Sequence, residues 1–206
     1  GQPALLVTSA EHYGAVVNSE FNYTTYLDTM KAKGNNYTRI YPGAYLESPG
    51  TFVDGNTLGP NRGKAIVPWA RSTIAGYVGG GNKFDLDTWD GSYFTRLKDF
   101  VQKANDRGIV VEICFYNTMY ADWYSYSPLH PSSNIQGIGV TSYSSFPSMD
   151  NASLYARQIA YVKKIVTELN AFENIIWEII DEPVYNGGNA AKAEAWVKAH
   201  LDTVYA

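Results

Sequence analysis

Apolar and polar positions along this chain follow two periods, and the period switches repeatedly. "ALLVTS" (4–9) is a short apolar run and predicts a buried strand. From Phe21 to Lys33 the spacing becomes helical, with Tyr23, Leu27 and Met30 on one face and Gly34 as the stop. "NYTRIY" (36–41) predicts the second strand. Asp87 stands where a helix cap is needed, ahead of Tyr93, Leu97, Phe100, Val101 and Ala104 at helical spacing. Gly108 ends that helix, and "IVVEICFY" (109–116) predicts a third, fully apolar strand. Asp150 is the cap expected for a helix burying Leu154, Ile159, Val162, Ile165, Val166 and Leu169. "NIIWEII" (174–180) predicts a fourth strand, and 190–205 a last helix.

The order is therefore strand and helix in strict alternation, with near-continuous apolar strands. That pattern predicts an α/β fold with a parallel sheet covered on both faces, of the (β/α) TIM-barrel type, in one domain over 1–206. The turns from helix to strand are short. The connections from strand to helix are long, about 45 residues after the second strand and about 33 after the third. Long connections gathered at one end of parallel strands mark a functional face. They are rich in Tyr, Trp, Gly, Ser and Pro, as in "YPGAYLESPGTFVDG" and "YNTMYADWYSYSPLHP". Flat aromatics with a polar edge suit both loop packing and stacking against sugar faces.

The fourth strand runs into two carboxylates, "NIIWEIIDEP" (174–183). Strand alternation places Glu178 and Glu182 on one face and Asp181 on the other. Glu178 and Glu182 lie about 13 Å apart along an extended chain. A glycosidase pair needs about 5–5.5 Å for retention or about 6.5–9.5 Å for inversion. Neither Glu178–Glu182 nor the adjacent Asp181–Glu182 meets that requirement. Glu178 is expected to be a structural carboxylate paired with a cation.

"NIIWEIIDEP" resembles the fourth-strand motif of clan A glycoside hydrolases, (β/α)8 barrels that cleave glycosidic bonds with retention. "LLVTSAEHYGAV" and "YLDTMKAKGNNYTRIYPGAY" are similar to the opening of the cellulase-like members. The resemblance implies that Glu182 is the general acid/base. Asp181 falls where that family usually carries Asn, a departure that exchanges a donor for an acceptor. Arg39 in "NYTRIY" matches an arginine near the family's nucleophile, and a core ion pair with Glu178 or Glu112 is the alternative reading. His12 in "EHYG", and Tyr116, Asn117 and Tyr185 at the ends of the third and fourth strands, are candidate substrate contacts. The function implied is a retaining hydrolase of a β-linked polysaccharide or oligosaccharide, with no cofactor and no metal. The alternative is a non-catalytic carbohydrate-binding or self-assembling protein built on a glycosidase half-barrel.

A complete barrel needs eight βα units, and four are legible here. The family's nucleophile, a Glu on the seventh strand, lies outside this chain. A missing C-terminal half-barrel or a second copy of the chain is the partner this predicts, alongside the carbohydrate. With 206 residues, 45% hydrophobic, the chain is long enough for one sizeable core. A net charge of −4 with no basic stripe argues against nucleic acid, and the short apolar runs argue against a membrane span. Cys114 is the single cysteine, so no intrachain disulfide forms. The opening "GQPALLVTSA" lacks an initiator Met, a basic region and a leader-like apolar stretch. The expectation is a removed signal or a cut from something longer, and an extracellular or periplasmic location. "GGGN" (79–82) is the only support for a phosphate-binding α/β protein, a different class of reading.

Overall fold

The computed structural model describes residues 5–8, 11–50, 55–117, 120–183 and 187–206. Its elements in chain order are α1 (Tyr23–Ala32), β1 (Tyr37–Ile40), β2 (Trp69–Ala75), β3 (Asn82–Trp89), α2 (Gly91–Asn105), β4 (Val110–Asn117), α3 (Ala152–Leu169), β5 (Ile175–Asp181) and α4 (Ala190–Tyr205). Strands β1, β4 and β5 form a parallel sheet in that order, with Arg39 opposite Glu112 and Cys114 opposite Glu178. The alternation expected from the sequence is thus present, and the chain is a partial (β/α) barrel.

Each helix starts where a short polar side chain satisfies free backbone N–H groups. Asn22 accepts from Thr25 N, Asn151 from Leu154 N and Asn189 from Lys192 N. Two caps differ from the expected ones. Asp90 caps α2, accepting from Ser92 N and Tyr93 N, whereas Asp87 is still in a strand and pairs with Arg157. Asn151 caps α3, and Asp150 instead meets Lys192 at 2.5 Å. In both places a second capping residue lies a few positions further on, and helical spacing alone does not choose between them.

The connection after β1 holds an antiparallel hairpin, β2 with β3, that the periodicity did not reveal. Its turn contains the glycine run, with Gly80 at φ 94° and Gly81 at φ 85°. Only glycine takes such angles without strain. The run does follow a strand, but it leads into another strand rather than a helix, so it is a hairpin turn and not a phosphate cradle. Trp69 stacks across the hairpin on Trp89 at 6.0 Å and fastens the hairpin to the body by stacking on Tyr161 of α3 at 5.1 Å.

Residues 5–8 correct the expectation of a buried first strand. They make no ladder, Leu5 is 80% exposed, and Asn36 holds them beside β1 through Val7 N to Asn36 Oδ1 (2.7 Å) and Asn36 N to Val7 O (2.9 Å). A strand is buried only by neighbours on its far side and its faces, and the described residues provide none there. On the helix-facing side of the sheet, Phe115 stacks on Trp177 at 5.5 Å and Ile113 is fully buried. The opposite side carries Tyr37, Arg39, Glu112, Cys114, Ile176 and Glu178. That side is open enough to leave Ile176 39% exposed. No helix among the described residues is long and apolar enough to cross a membrane.

Candidate active site

Arg39 is the centre of the inner sheet face. Its guanidinium donates to Glu178 from Nε (2.8 Å) and Nη2, and stands 3.7 Å from Glu112 and 3.4 Å from Asp181. Both readings of Arg39 therefore hold together. It is an ion-pair partner of Glu178 and Glu112, and it also lines the cavity above them. Tyr37 donates to Glu112 from the next position of the same face. Burial raises Glu112, and its hydrogen bond with Glu178 adds to that. Burial pushes Glu178 the same way, but Arg39 outweighs it and holds Glu178 below the usual carboxylate range. Of the two, Glu112 is the one that holds a proton more readily and Glu178 the one that holds the charge. Cys114, beside them, is buried and its thiol is pushed up by burial, which makes it unreactive.

Above this layer a cavity of about 280 Å³ opens at the carboxyl ends of β1, β4 and β5. That is the end at which parallel barrels place their sites. Arg39 and Asp181 form its base. Tyr41 follows Arg39 out of β1 and donates to Asp181 Oδ2 at 3.0 Å. Asn117, opposite Asp181 in the sheet register, reaches Tyr41 Oη with Nδ2 at 3.4 Å. Its Oδ1 is buried with no hydrogen-bond partner among the described residues. The other wall is the 11–14 segment against the loop 47–58. Tyr13 donates to Glu11 at 2.6 Å, Tyr45 donates to the buried Glu47 at 2.8 Å, and Asn56 donates to its other oxygen. Gly14 lets the two segments touch. Its N–H donates to Thr57 Oγ1 at 2.9 Å, and a Cβ there would lie 2.2 Å from the Thr57 backbone. Burial, then Glu11, pushes Tyr13 up to about 12, so its hydroxyl remains a donor at neutral pH.

Strand alternation fails at the ends of β4 and β5 together. Asp181 reaches the same arginine as Glu178, although the two have opposite parity. Asn117 faces the cavity, whereas Tyr116 turns away. Cys114 Sγ donates to Tyr116 O at 3.0 Å where β4 changes phase. Tyr116, expected to contact substrate, is instead fully buried among Trp196, Phe146 and Tyr161, with its hydroxyl on Gln158 O at 3.0 Å. A phenol ring packed between sheet and helices cannot also reach the cavity.

The remaining candidates fall in three places. His12 lines the cavity and packs edge-on against Tyr26 at 4.9 Å, and burial lowers its pKa. Glu182 is exposed, one residue beyond Asp181, and has left the strand at φ 50°. It is not part of the cavity lining. Tyr185 lies outside the described residues. Glu11, Tyr13, Tyr41, Glu47 and Asn56 were not singled out from the sequence. Tyr41 had a usable signal, since it is two residues beyond Arg39 and so shares its face. Glu47 and Asn56 had none, because an irregular loop has no period. Among the described residues no group of three or more His, Cys, Asp or Glu is arranged to hold a metal ion.

Solved structures share this fold. A protein of Bacteroides vulgatus ATCC 8482 described provisionally as a glycoside hydrolase matches 96% of this chain with a TM-score of 0.58 and 18% identity, and the match covers 32% of that protein. The endo-1,4-beta-D-mannanase of Thermotoga petrophila RKU-1 matches 97% of the chain at TM-score 0.57 and 16% identity, over 52% of its own length. An exo-beta-1,4-mannosidase of Opitutaceae bacterium strain TAV5 matches 88% at TM-score 0.53 and 15% identity, over 25% of its length. No family model and no curated protein matches the sequence. The chain thus shares the (β/α)-barrel fold of these glycoside hydrolases over part of their length. It spans between a quarter and about half of the length of these structures.

Proposed function

We propose that this chain forms part of a retaining glycoside hydrolase that acts on a β-linked glycan. The observation that supports it most is the cavity at the carboxyl ends of the strands, where Arg39 and Asp181 meet beneath Tyr41 and Asn117. A sugar ring in the cavity would set its hydroxyls against Asp181 and Asn117. Glu182, exposed just beyond, would stand toward the leaving group. In the first step Glu182 donates its proton to the glycosidic oxygen as the C1–O bond breaks, and a carboxylate attacks C1 to form a glycosyl ester. In the second step Glu182 takes a proton from water as the water oxygen bonds to C1 and the C1–ester bond breaks, which releases the sugar and the carboxylate. The attacking carboxylate comes from outside this chain, on a half-barrel that continues the sheet or in a second copy. Secretion to an extracellular or periplasmic location fits an enzyme of polymeric substrates.

The test is hydrolysis of a panel of aryl β-glycosides and β-linked oligosaccharides by the chain completed with the half-barrel or second copy that carries the attacking carboxylate, and by the same assembly with Glu182→Gln. Loss of a general acid/base costs about 10²–10⁴ in rate, and equal rates would remove Glu182 from that role. Asp181 in the place of the expected Asn supports a second reading, a glycan-binding protein without hydrolysis. Glycan binding with no turnover by the completed wild-type assembly would select it.

A further inference from the structure

The hydrogen-bonding groups that line the cavity are unevenly used. Several of its protein donors are already engaged by protein acceptors. The Arg39 guanidinium is held by Glu178 and Asp181, Tyr41 donates to Asp181, Tyr13 to Glu11, and Asn56 to Glu47. Its carboxylates keep acceptor capacity. A carboxylate offers about four lone-pair directions. In the described contacts Glu11 accepts one hydrogen bond, from Tyr13, and Glu47 one on each oxygen.

Charge points the same way. Among the described residues, Glu11, Glu47 and Asp181 line the cavity with Arg39, and Glu178 beneath it already takes up that cation. A neutral hydroxyl answers the acceptors but not the charge. An anionic sugar answers neither. A protonated amine answers both, with three donors, no acceptor and a positive charge. Tyr13, Tyr41 and Tyr120 add aromatic surface, which suits a cation and a sugar face alike.

We infer that the cavity selects an amine-bearing sugar unit, of the 2-amino-2-deoxy class found in deacetylated chitin, over neutral and acidic sugars, with Glu47 and Glu11 as the discriminating carboxylates. The inference rests on the proposed glycan site, and its test separates the two. Binding of the full chain to three ligands of equal length is measured by calorimetry near pH 6. The ligands are a chitosan oligosaccharide, its fully N-acetylated counterpart, and a cello-oligosaccharide. The expected result is at least about tenfold tighter binding of the chitosan ligand, with an advantage that shrinks as salt is raised. Glu47→Gln and Glu11→Gln should each reduce that advantage severalfold, and thermal melts of the two variants show that they are folded. Equal affinity for all three ligands overturns the amine preference and leaves the glycan site standing. Binding of none overturns both. Retention of the preference in both variants overturns the assignment to Glu47 and Glu11.

Discussion

Three carboxylates surround the one guanidinium of Arg39, and each meets it from a different distance and depth. Glu178 lies in direct contact, Asp181 at 3.4 Å from the cavity side, and Glu112 at 3.7 Å with Tyr37 on its other oxygen. Removing the cation leaves this group uncompensated, and a fully buried pair broken in that way costs about 3–5 kcal/mol. The side chains here keep some solvent contact, so Arg39→Met is expected to lower stability by about 2 kcal/mol in urea denaturation. A loss below about 0.5 kcal/mol would mean the cluster is solvated like a surface pair. His200 makes a prediction of a different kind. It is buried on α4 beside Trp196 and Tyr116, with Nδ1 at 2.8 Å from Trp196 O and Nε2 unpartnered. Burial drops its pKa from 6.5 to about 4. The unfolded chain therefore takes up a proton between those values that the folded chain refuses. Stability falls as pH falls through that window, by about 3 kcal/mol from this group. Thermal melts from neutral pH down to about pH 4 should show a shallower decline for His200→Gln than for the wild type. Parallel curves would mean that His200 does not carry the dependence.

Helices were the most legible elements because their evidence is local. The apolar stripe of α3 and the glycines that stop α1 and α2 lie within a few residues of the backbone they govern. Caps were less legible, since Asp87 and Asp90, or Asp150 and Asn151, are chemically equivalent until the chain is placed. The hairpin β2–β3 stayed hidden because its strands pair with each other and pack by Trp69 and Phe84 against distant residues. Asn151→Ala should cost about 1 kcal/mol, the usual value of a lost cap, and Asp150→Ala much less. Equal losses would return the cap to Asp150. The contact between the 11–14 segment and the loop 47–58 is more demanding. Gly14→Ala forces its methyl into the Thr57 backbone, so a loss of about 1–3 kcal/mol is expected. Glycan binding should weaken with it, because Glu47 and Asn56 shift with the loop. Unchanged binding would show that the loop does not shape the site.

The whole molecule is defined by what its sheet leaves open. β5 has a partner on one side only among the described strands, and the inner face exposes Ile176 at 39% beside charged neighbours. An edge strand and an exposed apolar face are both prone to pairing with another chain. Sedimentation of the chain is expected to show association that grows with concentration, and Ile176→Lys should weaken it. A strictly monomeric chain at the highest accessible concentration would show that these edges are protected. This scale also explains the error over residues 4–9. An apolar run reads as buried from its own composition, but its burial depends on strands and helices that lie elsewhere.

The sequence by itself determined the alternation of strands and helices, the parallel partial barrel, the functional end of the sheet, and the pairing of Arg39 with Glu178 or Glu112. All of these follow from periods of two and 3.6 residues and from charges on one strand face. Only the tertiary structure decided which residues meet in the cavity. Alternation ends at Asn117 and Asp181 because β4 and β5 change phase together and Glu182 turns to a positive φ. Glu11, Glu47 and Asn56 arrive from loops with no period at all. Their positions depend on contacts between segments more than 30 residues apart, such as Gly14 with Thr57, and no local pattern encodes those.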